Sequence, residues 1–202
     1  MMKIYLASKS PRRRELLAQM EIPFELLLVE TKEIIAESET AEQYSPRITK
    51  EKMEAAWSKI LYEQLPLRPV LCADTEVVLD GVVLGKPHDE NDAFFMLKKL
   101  SGRTHLVITS VGVKFHEYQK IITNTTRVTF DVIPEDAIRH YLASGEYRDK
   151  SGSYGIWGYI GQYISELHGC FYTVMGLPLY VVRKLLEEVD GQIIHVDGGY
   201  TA

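Results

Sequence analysis

The stretch Ile4–Leu17, IYLASKSPRRRELL, changes from an apolar run to a charged segment with the composition of a helix. Residues 4–7 predict a short buried strand, and residues 8–10 predict a turn. Ser10 has the side chain of a helix N-cap, and Pro11 suits the first helical position, where its missing N–H costs nothing. The stretch therefore predicts a strand, a serine-rich turn and a helix, around which the rest of the chain is organised.

Three consecutive arginines, Arg12, Arg13 and Arg14, fall in the first turn of this predicted helix. A helix N-terminus carries a partial positive charge, so each cation there is disfavoured by roughly 0.3 to 1 kcal/mol unless an anion is near. Hydroxyls, backbone amides and guanidinium groups together are suited to bind a phosphate. Three solvated arginines on a surface helix are the alternative, and this stretch alone does not decide between the two.

Composition limits the classes of protein that the chain can represent. It has 202 residues, 46% of them hydrophobic, and a net charge of -5, so no global basic field would attract nucleic acid or an anionic membrane. We find no apolar stretch of membrane-spanning length and no signal peptide, and we expect a cytosolic protein. Cys72 and Cys170 lack metal-ligand spacing and are expected to be reduced core residues.

A second informative stretch runs from Pro69 to Pro87. Two apolar runs flank the Asp80-Gly81 dipeptide, which is typical of a two-residue hairpin turn. Counting back from that turn places Asp74 and Lys86 as neighbours at the open end of the hairpin. A carboxylate beside a lysine at the end of a buried strand predicts a functional site, and a structural ion pair is the alternative.

The remaining chain mixes strands and helices irregularly, which predicts one α/β domain with a mixed, highly twisted sheet. An acidic connection is expected at 30–42, and glycines spaced by three occur at 152–161. Gln162–Leu167 and Phe171–Val174 predict a hairpin about His168-Gly169. Further helices are expected at 41–62, 89–99, 134–143 and 178–189, and further strands at 24–29, 104–115 and 121–132.

Six motifs stand in one order along the chain: SKSPRRRELL, EKM, CADTEVVLDGVVLGKP, LKKLSGRTH, SGEYRDKSGSYGI and VMGLPL. With them the chain resembles the Maf-like nucleoside triphosphate pyrophosphatases over almost its whole length. The resemblance implies an elongated α/β fold related to the inosine triphosphate pyrophosphatases, and a homodimer. It also implies hydrolysis of a nucleoside triphosphate to the monophosphate and pyrophosphate with a divalent metal, Mg²⁺ or Mn²⁺.

The resemblance also implies roles for individual residues. The phosphate-binding turn of the family matches Ser8, Arg12 and Arg13. The lysine of the family's second helix matches Lys52, and the lysine of its GKP motif matches Lys86. The acidic residue of the family's ADT motif matches Asp74, which is expected to be the general base or a metal-associated group. Another acidic residue of the family matches Glu33, which is a predicted metal ligand. ADT together with SPRR resembles the subgroup that acts on dTTP and UTP.

Two features depart from the family pattern. Trp157 stands where that subgroup carries glutamine, and an indole stacks on a base without offering paired hydrogen bonds.

Residues 190–202 are expected to be an accessory tail after a domain at 1–189. Its HVDGGY resembles the end of short-chain dehydrogenases, but no GxGxxG or YxxxK motif supports such a module. The other rival function is a non-catalytic nucleotide-binding regulator of septum formation.

Overall fold

The computed structural model describes residues 2–196, and the side chains up to residue 190. Seven strands are present in this part of the chain: β1 (Ile4–Ala7), β2 (Phe24–Leu26), β3 (Val70–Leu79), β4 (Val82–Val83), β5 (Thr104–Phe115), β6 (Tyr118–Phe130) and β7 (Ile164–His168). Six α-helices accompany them: α1 (Pro11–Gln19), α2 (Ala41–Tyr62), α3 (Glu90–Leu100), α4 (Glu135–Ala143), α5 (Phe171–Val174) and α6 (Leu179–Val196). None of these helices has the length and apolar composition needed to cross a membrane.

All seven strands belong to one mixed sheet with the order β2-β1-β3-β5-β6-β7, and β4 pairs with the end of β3. The strand β1 is parallel to both of its neighbours, with Leu6 beside Leu26 and Leu71. From β3 onward the pairing is antiparallel. The prediction of a mixed α/β fold with flanking helices is therefore confirmed.

Alternate residues of β1 and β3 face opposite sides of the sheet. Tyr5 and Cys72 pack with the apolar residues of α2 on one side. Leu6 and Leu71 pack with α1 and α6 on the other. The same alternation continues into the second half of β3, where it places Asp74 on the side of α2.

A separate apolar cluster joins α3 and α4 to the sheet and includes the buried rings of Phe130, Tyr141 and Tyr154. The hydroxyl of Tyr154 forms a 2.6 Å hydrogen bond with Nε2 of His105 on β5. Burial lowers the pKa of His105 to about 4, so this histidine is neutral in the folded protein near neutral pH.

The hairpin predicted about His168-Gly169 is wrong in its second half. Residues 164–168 form β7, but Phe171–Val174 is the short helix α5. Gly169 has a φ of 130° and packs against Thr126, and the Thr126 hydroxyl accepts a hydrogen bond from Cys170 N–H. These contacts turn the chain back across β6 instead of letting it pair with β7.

The other element bounds differ from the predictions at their ends. The strand predicted at 24–29 stops at Leu26, and the β5–β6 hairpin is confirmed with its turn at residues 116–117. The helix α6 continues past the predicted domain end at residue 189 to Val196. The rest of the predicted tail, 197–202, lies outside the described residues.

Candidate active site

A cleft of about 870 Å³ opens where β1 and β3 meet the loops that follow them. Most of its lining comes from the β1–α1 turn, the connection before α2, the middle of β3, the loop after β4, and residues 146–157. Lys52 of α2, Val107 of β5 and residues 174–176 complete it. All of the residues predicted for the site, which are Ser8, Arg12, Arg13, Glu33, Lys52, Asp74, Lys86 and Trp157, line this one cleft.

The β1–α1 turn forms as the sequence predicts. The Ser10 hydroxyl accepts a hydrogen bond from Arg13 N–H at 3.3 Å and so caps the helix, with Pro11 at its first position. Ser10 N–H in turn donates to the Ser8 hydroxyl at 3.2 Å. The turn therefore holds Ser8 and the start of α1 at the edge of the cleft.

The guanidinium nitrogens of Arg13 donate hydrogen bonds to acceptors within the protein. Its Nε donates to the carbonyl of Gly176 at 2.8 Å, Nη1 donates to the carbonyl of Ala73 at 2.8 Å, and Nη2 donates to the Thr75 hydroxyl at 2.9 Å. Burial lowers the pKa of Arg13, and the negative charge of Asp74 counters that effect. Arg13 thus links α1 to β3. The sequence pattern predicted phosphate binding for Arg13 and did not indicate this structural function.

Arg12 faces the cleft beside Trp157. The guanidinium carbon of Arg12 lies 4.3 Å from the centroid of the indole ring, and Nη1 pairs with Glu15. The Arg12 Nε is buried without a hydrogen-bond partner. Trp157 is 39% exposed and packs on Gly155, so it is a wall of the cleft and not a core residue.

Four charged side chains alternate in sign across the floor of the cleft. Lys86 Nζ lies 3.1 Å from Glu33 Oε2, and Glu33 Oε1 lies 2.8 Å from Lys52 Nζ. The same lysine nitrogen lies 2.8 Å from Asp74 Oδ1. Burial favours the neutral form of Glu33, but Lys52 and Lys86 lower its pKa to about 2, so Glu33 is ionised.

The predicted neighbourhood of Asp74 and Lys86 is wrong in its detail. The β3–β4 ladder reaches only Val83, and its last hydrogen bond runs from Leu84 N–H to the Val77 carbonyl. Gly85 then adopts a φ of 66°, and its carbonyl accepts a 2.8 Å hydrogen bond from Gly152 N–H. The loop therefore bends toward residues 151–153, and Glu33 and Lys52 stand between Lys86 and Asp74.

Glu76 is a cleft residue that the sequence analysis missed. It is buried, and its Oε2 accepts a 3.0 Å hydrogen bond from Ser151, whose hydroxyl also accepts one from Val77 N–H. Burial, followed by the charge of Asp74, raises the pKa of Glu76 to about 7. The signal was present, because residues two apart on a strand share a face and Asp74 was already a candidate.

Other charged residues of the cleft were not among the predicted site residues. They come from the start of α1, the connection before α2 and the segment before the glycines: Lys9, Glu15, Glu30, Glu146, Arg148, Asp149 and Lys150. Together with Glu76 and the predicted residues they make seven basic and seven acidic side chains. The lining therefore carries no formal excess of positive charge, and a triphosphate would need a further cation to balance it.

The donors present are compatible with a divalent cation that is completed by its substrate. Asp74 is 4% exposed, and its Oδ2 has no hydrogen-bond partner although the side chain lines the cleft. Within the part of the chain that the structure describes, no three His, Cys, Asp or Glu side chains cluster as a complete metal site. Mg²⁺ commonly takes one or two carboxylates and completes its shell with water and substrate phosphates.

The fold and the cleft define a mixed α/β protein with a charged cleft beside β1 and β3. Comparison with known proteins identifies its family: a family model described as Maf-like protein matches residues 3–189, and the chain belongs to the Maf family. The resemblance seen in the sequence motifs is therefore confirmed.

Several relatives are similar to this chain over nearly their whole length. The dTTP/UTP pyrophosphatase of Photobacterium profundum is 47% identical over 187 residues, which cover 92% of this chain and 95% of the relative. The protein of the same name from Chromobacterium violaceum is 42% identical over 186 residues, with 92% and 94% covered. A solved structure, the Staphylococcus aureus Ham1 protein, matches with a TM-score of 0.45 and 13% identity, over 63% of this chain and 71% of that one.

Proposed function

We propose that the protein is a nucleoside triphosphate pyrophosphatase that hydrolyses dTTP and UTP to the monophosphate and pyrophosphate. The observation that carries this proposal is the unpaired, buried Oδ2 of Asp74, in a cleft that also presents Lys52, Lys86 and Arg12. The names of the relatives support the same reaction and the same substrates.

In the proposed reaction, water attacks the α-phosphorus and the Asp74 carboxylate accepts its proton. Lys52 holds the other oxygen of Asp74 at 2.8 Å, which orients the carboxylate. Lys86 and Arg12, at the two sides of the cleft, would bind phosphate oxygens and stabilise the negative charge that develops on them. Arg13 would act chiefly by positioning β3.

A divalent cation, Mg²⁺ or Mn²⁺, would supply the charge that the balanced lining lacks. Asp74 is one carboxylate that would hold it, because each carboxylate oxygen has two lone-pair sites and Oδ2 uses neither within the protein. Glu33 was also predicted as a ligand, and both of its oxygens contact lysines. We expect turnover to stop in excess chelator and to return when Mg²⁺ is added.

Hydrolysis in ¹⁸O-labelled water tests the reaction directly. Mass spectrometry should find the label in the monophosphate and unlabelled pyrophosphate as the second product. Asp74→Asn should lower the rate about 10²- to 10⁴-fold, as expected when a general base is lost, while Asp149→Asn at the rim should not. Release of orthophosphate and a nucleoside diphosphate would contradict the proposal.

A non-catalytic nucleotide-binding regulator of septum formation is the less favoured function, because Asp74, Lys52 and Lys86 are all present in one cleft. We further propose a cytoplasmic homodimer that binds neither nucleic acid nor membranes. The net charge of -5 supports the absence of a polyanion partner, and the family resemblance supports the dimer. Light scattering coupled to gel filtration would measure the oligomeric state.

A further inference from the structure

Two carboxylates of β3 face the cleft side by side. Asp74 and Glu76 lie two residues apart on one face of the strand, opposite Ser110 and Ile108 in the register with β5. They are 4% and 8% exposed, and both line the cleft. We infer that Glu76 is the second carboxylate ligand of the divalent cation and shares that cation with Asp74, an inference that rests on the proposed function.

The carboxylates in the cleft are unequally paired with basic groups. Glu33 contacts two lysines, and Asp74 contacts one lysine through Oδ1 only. In the described part of the chain, no basic nitrogen lies within 4.0 Å of the Glu76 carboxylate, and its hydrogen bond comes from the neutral hydroxyl of Ser151. Buried charges are costly unless they are paired or bind a metal. The two buried carboxylates of the cleft therefore keep oxygens without a basic partner, which are Oδ2 of Asp74 and both oxygens of Glu76.

A lysine and a divalent ion are the two kinds of cation that could satisfy these oxygens. Lys86, an ammonium of the cleft with 55% of its side chain exposed, is already 3.1 Å from Glu33. A small divalent ion can bind two carboxylates on one side, and phosphate oxygens and water can then occupy its remaining coordination positions. Two carboxylates without a third ligand predict weak binding of the bare ion and stronger binding together with a nucleotide.

Ser151 acts as a positioning residue for this carboxylate. Its hydroxyl donates to Glu76 Oε2 at 3.0 Å and accepts from the backbone N–H of Val77 at 2.9 Å. The hydroxyl is thereby fixed on β3 itself, and it holds one oxygen of Glu76 while the other is left for a ligand. Hydrogen-bond partners of metal ligands typically change metal affinity by about 10- to 100-fold when removed.

The competing explanation is that Glu76 is a structural residue that stays protonated and only holds Ser151. Burial raises its pKa to about 7, which is compatible with either role. The two explanations differ in one measurable property, because a neutral structural residue would not contribute to the binding of a metal ion.

Binding of Mn²⁺ is the test, measured by electron paramagnetic resonance of the free ion and by calorimetry. MnCl₂ is titrated alone and then in the presence of the non-hydrolysable α,β-methylene analogue of dUTP. The wild type is compared with Glu76→Gln, which keeps the shape and the Ser151 contact, and with Ser151→Ala. Glu30→Gln is the matched control, because Glu30 is a cleft carboxylate whose side chain is 92% exposed.

We expect Glu76→Gln to weaken Mn²⁺ binding about tenfold or more in the presence of the analogue, and Ser151→Ala to weaken it less. The Glu30→Gln control should bind as the wild type does. Equal affinity in Glu76→Gln and the control, or no Mn²⁺ binding by the wild type with the analogue, would overturn the inference. If circular dichroism shows that Glu76→Gln is unfolded, Glu76→Met, which also removes the carboxylate, replaces it under the same criteria.

Failure of the inference and failure of the proposed function can be told apart. The labelled-water experiment uses the wild type and reports which phosphorus is attacked, whatever the ligands of the cation are. The Mn²⁺ titration uses an analogue that is not cleaved, and so it reports only on the cation site.

Discussion

The two site lysines differ in burial, and this difference separates their effects on stability. The Lys52 side chain is 13% exposed between Glu33 and Asp74, whereas that of Lys86 is 55% exposed. Removing one member of a buried ion pair costs about 3 to 5 kcal/mol, because the partner is left charged and unpaired. An exposed pair contributes about 0 to 1 kcal/mol.

We therefore predict that Lys52→Met lowers both kcat/KM and the free energy of unfolding, while Lys86→Met lowers kcat/KM alone. Urea denaturation and steady-state kinetics measure the two quantities on the same samples. Equal losses of stability in the two variants would show that the Lys52 ion pairs are not the buried network described above.

The position of Trp157 makes it the residue that we expect to set base preference. Its ring is partly exposed in the cleft, and the Arg12 guanidinium lies 4.3 Å from its centroid. Stacking contributes about 1 to 3 kcal/mol and tolerates every base, so we expect turnover of dTTP and UTP with measurable activity on other nucleotides.

Trp157→Gln should sharpen the preference for pyrimidines, because an amide offers a donor and an acceptor to the base edge. The measurement is kcat/KM across the common nucleoside triphosphates. Phe95→Gln, at an exposed aromatic residue outside the cleft lining, is the control for the loss of a surface ring. An unchanged ranking of nucleotides would remove Trp157 from base recognition.

At the scale of elements, the segment that presents Trp157 is fixed by close backbone packing. A Cβ at Gly161 would lie 2.1 Å from the carbonyl oxygen of Ile156, whereas one at Gly112 would lie 2.6 Å from the Met53 sulfur. A methionine side chain can move away, but a backbone carbonyl in a tight turn cannot do so without breaking the turn.

We predict that Gly161→Ala lowers the free energy of unfolding by about 1 to 3 kcal/mol or more, as overpacking does. Gly112→Ala should cost less. Thermal and urea denaturation of both variants provide the comparison, and a smaller loss at Gly161 than at Gly112 would contradict the prediction.

Elements with local signals were predictable from the sequence. The cap at Ser10 and the proline after it located α1, and the Asp80-Gly81 turn located the β3–β4 hairpin. Phe171–Val174 was predicted as a strand from composition, but it is a helix because Thr126 binds Cys170 and turns the chain. That contact joins residues far apart in the sequence, and no local pattern encodes it.

The sequence predicted which residues line the site, but not which of them contact each other. Each predicted residue lines the cleft, yet Lys86 contacts Glu33, because Gly85 bends the loop away from Asp74. Arg13 is bound by carbonyls and a hydroxyl that come together only in the folded chain. Partners of this kind depend on tertiary geometry, which motif order does not contain.

For the whole molecule, His105 predicts how stability depends on pH. Its ring is 2% exposed, and burial lowers its pKa from 6.5 to about 4. Between those values the unfolded chain binds a proton that the folded protein does not, so this residue makes stability fall as the pH is lowered. Glu76 gives the opposite slope over part of the range, because its pKa is raised to about 7.

The comparison between the wild type and His105→Phe isolates the contribution of the histidine. The difference in free energy of unfolding between the two proteins should change by about 2 to 3 kcal/mol from pH 7 to pH 4, the wild type losing more. His88→Phe, at an exposed histidine, is the control. Parallel curves for the wild type and His105→Phe would show that His105 does not titrate as its burial predicts.

The hydrogen bond from Gly152 N–H to the Gly85 carbonyl joins the loop that carries Lys86 to the segment that carries Trp157. Because both partners are backbone groups, the bond does not depend on which side chains stand beside it. Substitutions at Trp157 can therefore accumulate during evolution without moving the lysine. Descendants of one ancestral protein could acquire different nucleobase preferences in this way and inherit the same chemistry at the phosphates.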